Sequence, residues 1–256
     1  MTDLLQRVQA RFLKELFASS KGGFVLKGGM ALAALFDGSR LTRDIDLDFP
    51  PPGDRTADSL HNQVNRALEH ALRGTGITDV RVNTPGKAEL SPKWKVSGMA
   101  TGGAPFHLKV EVSRRLPPPG GVRQAAVSGM AAFGIGTYYV DLYDERTLAA
   151  MKLAALLGRT AVRDVWDLDL LLPLHPPGTP LIAWALEYSG VTAHDASRVV
   201  MDRLGSMDWN LFRTQMLADE RAMATMRESS WAEMRARVGR ILGDLLDDHA
   251  LHPGAA

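Results

Sequence analysis

A run of five residues in which acidic and apolar side chains alternate constrains the fold of this chain more than any other stretch. Residues 44–48 are Asp-Ile-Asp-Leu-Asp. Because side chains alternate between the two faces of a β-strand, the run predicts a strand with three carboxylates on one face and Ile45 and Leu47 in a core. A solvated edge strand would show the same alternation. A small carboxylate cluster is also the kind of site that Mg²⁺ prefers, so a metal site is the second interpretation.

A glycine turn precedes this strand. Residues 24–26 are apolar and predict a short buried strand, Lys27-Gly28-Gly29 predicts a tight turn, and residues 30–36 predict an apolar helix. The free amides at the start of such a helix can hold a phosphate, and glycines let a ligand approach the backbone. A glycine turn so close to the acidic strand favours the metal site over the solvated edge.

A further candidate carboxylate lies in residues 107–113, His-Leu-Lys-Val-Glu-Val-Ser. Polar and apolar residues alternate here too, so Lys109 and Glu111 are predicted to share one face of a strand. From the residues alone, this spacing predicts a surface ion pair between Lys109 and Glu111, which would contribute little to stability.

The apolar patterns divide the chain into two regions. The first region, residues 1–140, begins with an amphipathic pattern from Leu4 to Leu16. A helix is predicted over 56–73, and strands are predicted over 80–83, 94–100 and 106–113. The second region, 141–256, is predicted to be helical, with helices over 145–157, 164–172, 181–188, 193–204, 209–217 and 231–248. The predicted fold class is α+β, a mixed sheet flanked by helices and followed by a helical C-terminal half.

Composition excludes some classes of protein. The 256 residues include no cysteine, which excludes disulfides and thiolate metal sites. A net charge of +1 neither supports nor excludes a nucleic-acid partner. No segment is long and apolar enough to be a signal peptide or a membrane span, so we expect a soluble cytoplasmic protein without a membrane partner.

Four segments together resemble a known family. They are KGGMAL at 27–32, RLTRDIDL at 40–47, KLAAL at 152–156 followed by Arg159, and RDVWDL at 163–168. The first pair resembles the signature of the AbiEii/AbiGii-type nucleotidyltransferase toxins, which belong to the polymerase-β-like nucleotidyltransferase superfamily and include the MenT toxins. The second pair is similar to that family's downstream lysine and RDxxDL motif. Met30 departs from the superfamily, which often has Ser or Thr after the turn glycine.

The resemblance implies a nucleotidyltransferase-like sheet, with the helical region completing a cleft, and a set of site residues. Mg²⁺, or Mn²⁺ in its place, would be bound by Asp44, Asp46 and Glu111. The residues implied to contact the NTP substrate are Lys27, Gly28, Gly29, Arg40 and Arg163. Lys152, Asp164 and Asp167 are implied to complete the catalytic set.

Each of these secondary assignments has a structural alternative. Lys27 and Arg40 would support the acidic motif by pairing with its carboxylates. Lys152 would reach the surface, or pair with Asp164 or Asp167. Arg163 and Asp167, four residues apart on a helix, would form an ordinary salt bridge.

The function that the resemblance implies is nucleotide transfer from an NTP to an RNA acceptor such as a tRNA 3′-end. The protein would be the toxin of a bacterial toxin–antitoxin or phage-defence pair, with a cognate antitoxin as its partner. A small-molecule nucleotidyltransferase of the antibiotic-modifying type shares the core chemistry and is one alternative. A catalytically silent nucleotide-binding module is the other.

Overall fold

The structure is a computed structural model that describes residues 2–20, 23–36, 42–49, 57–128, 134–217 and 219–251. The chain forms two compact units. The first consists of Met1–Pro117 and Val122–Tyr143, and the second of Pro118–Gly121 and Asp144–Ala256. The main boundary, at Tyr143, lies close to the one predicted after residue 140, whereas the assignment of 118–121 to the second unit is not foreseen by the sequence.

The first unit is built on a mixed sheet. Its strands are β1 (Val25–Lys27), β2 (Asp44–Asp48), β3 (Thr78–Asn83), β4 (Lys93–Met99), β5 (Pro105–Ser113), β6 (Val122–Val127) and β7 (Tyr138–Tyr143). They are arranged in the order β3-β4-β5-β2-β1-β7-β6. The pairs β2–β5 and β1–β7 are parallel, and the other neighbours are antiparallel. The described helices of this unit are α1 (Thr2–Ser19), α2 (Gly28–Leu35) and α3 (Ala57–Leu72).

One face of the sheet is apolar and lies in the core. The α1 side chains Val8, Phe12 and Leu16, which repeat every four residues along one side of the helix, are fully buried. On the sheet, Trp94 is fully buried, and its indole Nε1 donates a hydrogen bond of 2.8 Å to Asn65 of α3. The alternation in β2 and β5 therefore directs the apolar side chains to the helix-covered face and leaves the acidic side chains on the opposite face.

The second unit is helical. Its described helices are α4 (Glu145–Gly158), α5 (Val162–Leu171), α6 (Thr179–Ser189), α7 (Ala193–Gly205), α8 (Trp209–Met216), α9 (Glu220–Thr225) and α10 (Glu228–Leu251). Asp144 caps α4, because its carboxylate accepts a 2.8 Å hydrogen bond from the amide of Thr147. Phe212 of α8 packs against the rings of Trp209 and Trp231. The predicted α+β class with a helical C-terminal half is thus confirmed.

Three elements and one helix start differ from the sequence prediction. Strand β6 is not predicted because its side chains are largely exposed and lack a clear alternation. Strand β7 is not predicted because its polar and apolar residues do not alternate strictly. Helix α9 is a short helix of 6 residues. Helix α2 begins at Gly28 and not at Met30, so the two glycines form the first turn of the helix and not a separate turn before it.

Among the described residues, every helix is too short or too polar to cross a lipid bilayer.

Candidate active site

The three predicted metal ligands lie on adjacent strands of the first unit. In the parallel pair β2–β5, Asp46 stands opposite Glu111, and Asp44 stands opposite Lys109. These residues share the face of the sheet opposite the buried Ile45 and Val110. The predicted placement of Glu111 beside the acidic strand, on the same face as Asp46, therefore agrees with the structure.

Two lysines hold these carboxylates. The ammonium nitrogen of Lys109 lies 2.8 Å from Asp44 Oδ2 and 3.8 Å from Glu111 Oε2. Lys93 of β4 lies 3.4 Å from the same Glu111 oxygen. The surface pair between Lys109 and Glu111 that the sequence left open is thus present, but Lys109 also bridges to the acidic motif of the neighbouring strand. Two ammonium groups therefore offset the repulsion among the three carboxylates.

The start of α2 packs directly against Asp46. Gly28 has a φ of +65°, and a Cβ atom at this position would stand 2.7 Å from Asp46 Oδ2. A side chain at position 28 would therefore meet both an unfavourable backbone conformation and the carboxylate. The glycine turn and the acidic strand, which the sequence connects only by proximity, are in contact here.

The pKa of Asp46 reflects its position at the contact with Gly28. Burial raises the pKa of its carboxyl group, and the negative charges of Asp44 and Glu111 raise it further, against the lowering effects of Lys109 and Lys27. A cation close to the three carboxylates would lower the pKa of Asp46 again, because a positive charge favours the ionised form. The site is therefore electrostatically suited to bind a positive charge.

The third acid of the motif has a different environment. Asp48 is buried and forms an ion pair with Lys27 through Oδ1, while its Oδ2 accepts a 2.7 Å hydrogen bond from the hydroxyl of Tyr143. Burial and the adjacent Asp48 charge raise the pKa of Tyr143, which keeps its hydroxyl a donor. Lys27 thus supports the motif by pairing with one of its carboxylates, which is the structural alternative that the sequence left open for it.

The carboxylate face fits a hard divalent cation by the chemistry of its donors. Asp44, Asp46 and Glu111 offer oxygen ligands on one side of two paired strands, which Mg²⁺ accepts together with phosphate oxygens and water. Within the described part of the chain, however, no three acidic or imidazole groups converge closely enough to hold a metal ion as they stand. Lys109 lies between Asp44 and Glu111, so its ammonium group has to withdraw before these oxygens can share a cation.

The downstream motif forms a buried ion-pair network in the second unit. Lys152 of α4 lies 2.6 Å from Asp167 and 3.3 Å from Asp164, both on α5. Arg159 adds hydrogen bonds of 2.8 and 3.1 Å to Asp164. Asp164 and Asp167 are fully buried and Lys152 is almost so. This is the alternative in which Lys152 pairs with the two aspartates, and it involves both of them at once.

The structure describes three of the four other predicted contact residues. Arg163 is exposed at the start of α5, whereas its neighbour Asp164 is buried. Arg40 lies outside the described residues. Gly29 is buried in the first turn of α2, and Met30 is half-buried, so this turn offers backbone amides and no hydroxyl.

Sequence reasoning missed the functional surroundings of the motifs. Lys109 was recognised only as a possible surface partner of Glu111, and Tyr143 was not identified. Tyr143 is the last residue of β7, whose polar and apolar residues do not alternate strictly, and its pairing with Asp48 joins residues 95 positions apart. Arg159 is part of the resemblance, which implies no role for it, and its spacing from Asp164 across the end of a helix gives no periodic signal.

Comparison with solved structures places the fold among known proteins. The crystal structure of JHP933 from Helicobacter pylori superposes with a TM-score of 0.56 at 17% identity, covering 98% of this chain and 97% of that one. The nucleotidyltransferase toxin MenT4 from Mycobacterium tuberculosis H37Rv superposes with a TM-score of 0.57 at 20% identity, covering 96% of this chain and 84% of that one. At these identities the likeness shows a shared fold. No curated protein matches the chain by sequence.

The family follows from a separate comparison. Residues 11–243 match the model of the family described as nucleotidyl transferase AbiEii toxin, type IV toxin–antitoxin system. Because this match spans most of the chain, the protein belongs to that family. It is therefore a nucleotidyltransferase toxin, for which an NTP substrate and a cognate antitoxin are implied, and the resemblance that its motifs indicate is confirmed.

Proposed function

We propose that the protein transfers a nucleotide from an NTP to an RNA acceptor such as a tRNA 3′-end, with Mg²⁺ or Mn²⁺ held by Asp44, Asp46 and Glu111. The observation that carries the proposal is the parallel register of β2 and β5, which sets Asp46 opposite Glu111 on the open face of the sheet. The contact between Asp46 and Gly28 supports it, because this contact joins the carboxylates to the start of α2.

In the proposed reaction, an acceptor hydroxyl oxygen bonds to the α-phosphorus of the NTP while the bond from that phosphorus to the bridging oxygen of the β-phosphate breaks. Pyrophosphate leaves, and the hydroxyl proton passes to a carboxylate of the set. The bound divalent cation supplies charge stabilisation for the phosphoryl oxygens and lowers the pKa of the attacking hydroxyl. The chain itself contributes position and charge, which phosphoryl transfer requires more than a protein nucleophile.

The first turn of α2 is the proposed contact for the terminal phosphates. The cap residue Lys27 makes no side-chain hydrogen bond to the amides of this turn, and its ammonium group is engaged by Asp48. The amides of Gly28 and Gly29 are donors at the positive end of the helix dipole, which favours an anion. With Met30 in place of a hydroxyl residue, phosphate binding at this turn depends on the backbone.

The residues of the downstream motif act in this proposal by holding α4 to α5. Lys152 already has two carboxylate partners at ion-pair distance, and Arg159 completes the neutralisation of Asp164. Removing a partner from such a buried network leaves an uncompensated charge, which is strongly unfavourable. Their role is therefore to position these two helices.

Transfer of a radiolabelled nucleotide tests the proposed function. The purified protein is incubated with each NTP and either total tRNA or a panel of small hydroxyl acceptors, with Mg²⁺ or with a chelator. We expect labelled RNA that depends on the divalent cation, and none from Asp44→Asn, whereas Asp248→Asn, which changes an exposed acid of α10, retains transfer. Label in a small acceptor and not in RNA would replace the proposed substrate, and undiminished transfer by Asp44→Asn would reject the proposed site.

A further inference from the structure

Basic side chains cover the open face of strands β3, β4 and β5. Residue alternation places them on the side opposite the buried Trp94, Val96 and Leu108. We call this surface the basic face, and its residues are Arg81, Lys93, Lys95, His107 and Lys109. All of these side chains are exposed except Lys109, which is half-buried.

The basic face has more positive than negative groups. Its strands contain two acids, Glu111 and Asp79, and Glu111 is already engaged by Lys93 and Lys109. Lys95 stands directly opposite Lys109 in the antiparallel register, and Arg81 stands opposite Ser97. Like charges directly opposite each other destabilise a sheet. Among the described residues, the ion pairs of this face involve Lys93 and Lys109, and no carboxylate lies at ion-pair distance from the exposed Lys95 or Arg81.

We infer that the basic face binds the sugar–phosphate backbone of the single-stranded 3′ end of the RNA acceptor and leads that end to the carboxylates. The inference rests on the proposed function and assigns the surface that recognises the acceptor. Its charge complements a polyanion, and it is continuous with the site because Lys109 and Lys93 contact Asp44 and Glu111, respectively.

The dimensions of the face suit a short single strand. Neighbouring strands lie about 4.8 Å apart, so the three steps from β2 through β5 and β4 to β3 span about 15 Å. At a rise of about 3.4 Å per stacked nucleotide, this distance corresponds to about four nucleotides. Lysine and arginine contacts to phosphates carry no base-edge information, so recognition by this face is independent of sequence and sensitive to salt.

Fluorescence anisotropy of a labelled single-stranded RNA oligonucleotide, without NTP, tests the inference separately from catalysis. The double variant Arg81→Gln/Lys95→Gln removes two charges from the face. The matched control is Lys14→Gln/Arg66→Gln, which removes the same charges from exposed positions on α1 and α3. We expect roughly tenfold weaker binding at low salt for the first variant and a salt dependence reduced by about 1.4 logarithmic units per decade, or about 0.7 for each lost phosphate contact.

Three results would overturn the inference: unchanged RNA binding by the face variant, equal weakening by both double variants, or a face variant that loses affinity for the cognate antitoxin but not for RNA. Thermal denaturation checks the fold, and Lys95→Gln should not lower the melting temperature because it removes a like-charge pair.

Steady-state transfer distinguishes this inference from the proposed function. If both hold, the face variant raises the KM for tRNA about tenfold and leaves kcat unchanged, because the carboxylates are intact. If the wild-type protein binds RNA through the basic face but transfers no nucleotide to it, the proposed function is wrong and the assignment of the RNA-binding surface is retained. If the protein transfers nucleotide to RNA with a KM that the face variant does not change, the proposed function stands and the surface assignment fails.

Discussion

The carboxylate of Asp46 rests against Gly28, with Oδ2 only 2.7 Å from the point where a Cβ atom of residue 28 would lie. The glycine is therefore required by the acidic strand itself, in addition to any role of its amides toward a phosphate. The contact ties the start of α2 to the central carboxylate of the site, so a change at either residue is expected to disturb the other.

Replacing Gly28 by alanine tests this contact. Both Gly28 and Gly74 have a positive φ, of +65° and +67°, but a Cβ at Gly74 would meet nothing within 4 Å. Gly74→Ala should therefore report the backbone strain alone, about 1–2 kcal/mol. Gly28→Ala should be about 1–3 kcal/mol less stable than that control in chemical denaturation, because the methyl group overpacks against Asp46. Equal losses in the two variants would show that the contact is unimportant.

Asp46→Asn should change the pH dependence of stability in the absence of metal. Burial raises the pKa of Asp46 above its ordinary value of 3.8, so the folded state favours the protonated acid. The stability this proton provides is present below the ordinary pKa and is lost as the pH rises through the raised pKa. With chelator, we expect Asp46→Asn to be more stable than wild type at neutral pH and nearly equal at acid pH. A constant difference across the pH range would contradict the account.

Lys109→Met should make the protein depend on a divalent cation for stability. The ammonium group lies between Asp44 and Glu111, and its removal leaves these carboxylates less compensated. We expect a lower melting temperature in chelator and a larger increase on adding Mg²⁺ than in wild type, because Mg²⁺ then binds without displacing a lysine. Lys14→Met, on the exposed side of α1, is the control. An increase no larger than that of wild type would argue against a cation site here.

The sequence predicted the strands that carry the site because their alternation is strict. The period places Asp44 and Asp46 on one face of β2, the resemblance adds Glu111 to the set, and the register of β2 with β5 brings all three to the same face of the sheet. The environment of these residues could not be read in the same way. Gly28 packs on Asp46, and Tyr143 donates to Asp48, through contacts between residues distant in sequence. Such contacts depend on strand order, which local periodicity does not specify.

In the downstream motif, too, the sequence predicts the element but not the contacts of its side chains. Asp164 and Asp167 are three residues apart and both are buried on α5, but this spacing does not specify which charge they meet. The answer depends on how α4 packs against α5, where Lys152 reaches both aspartates. The packing of α4 on α5 therefore determines the partners of the motif residues, and their spacing in the sequence does not.

Lys152→Met is expected to destabilise the second unit. It leaves Asp167 without its 2.6 Å partner in a buried environment, which typically costs about 3–5 kcal/mol. Arg163→Met, at an exposed position on α5, should change stability by less than about 0.5 kcal/mol. The double variant Lys152→Met/Asp167→Asn should recover part of the loss in denaturation experiments. If Lys152→Met keeps wild-type stability and abolishes transfer, the lysine acts in catalysis and not in packing.

Glu111 gives the most direct test of the central claim, because its role depends on the strand register and not on the acidic motif itself. The measurement is the rate of labelled nucleotide transfer to tRNA by Glu111→Gln over a Mg²⁺ titration, with the melting temperature measured alongside. The account predicts a folded protein whose transfer rate falls at least a hundredfold. Such a fall corresponds to the loss of several kcal/mol of transition-state charge stabilisation. Transfer at the wild-type rate and with the wild-type Mg²⁺ dependence would contradict it.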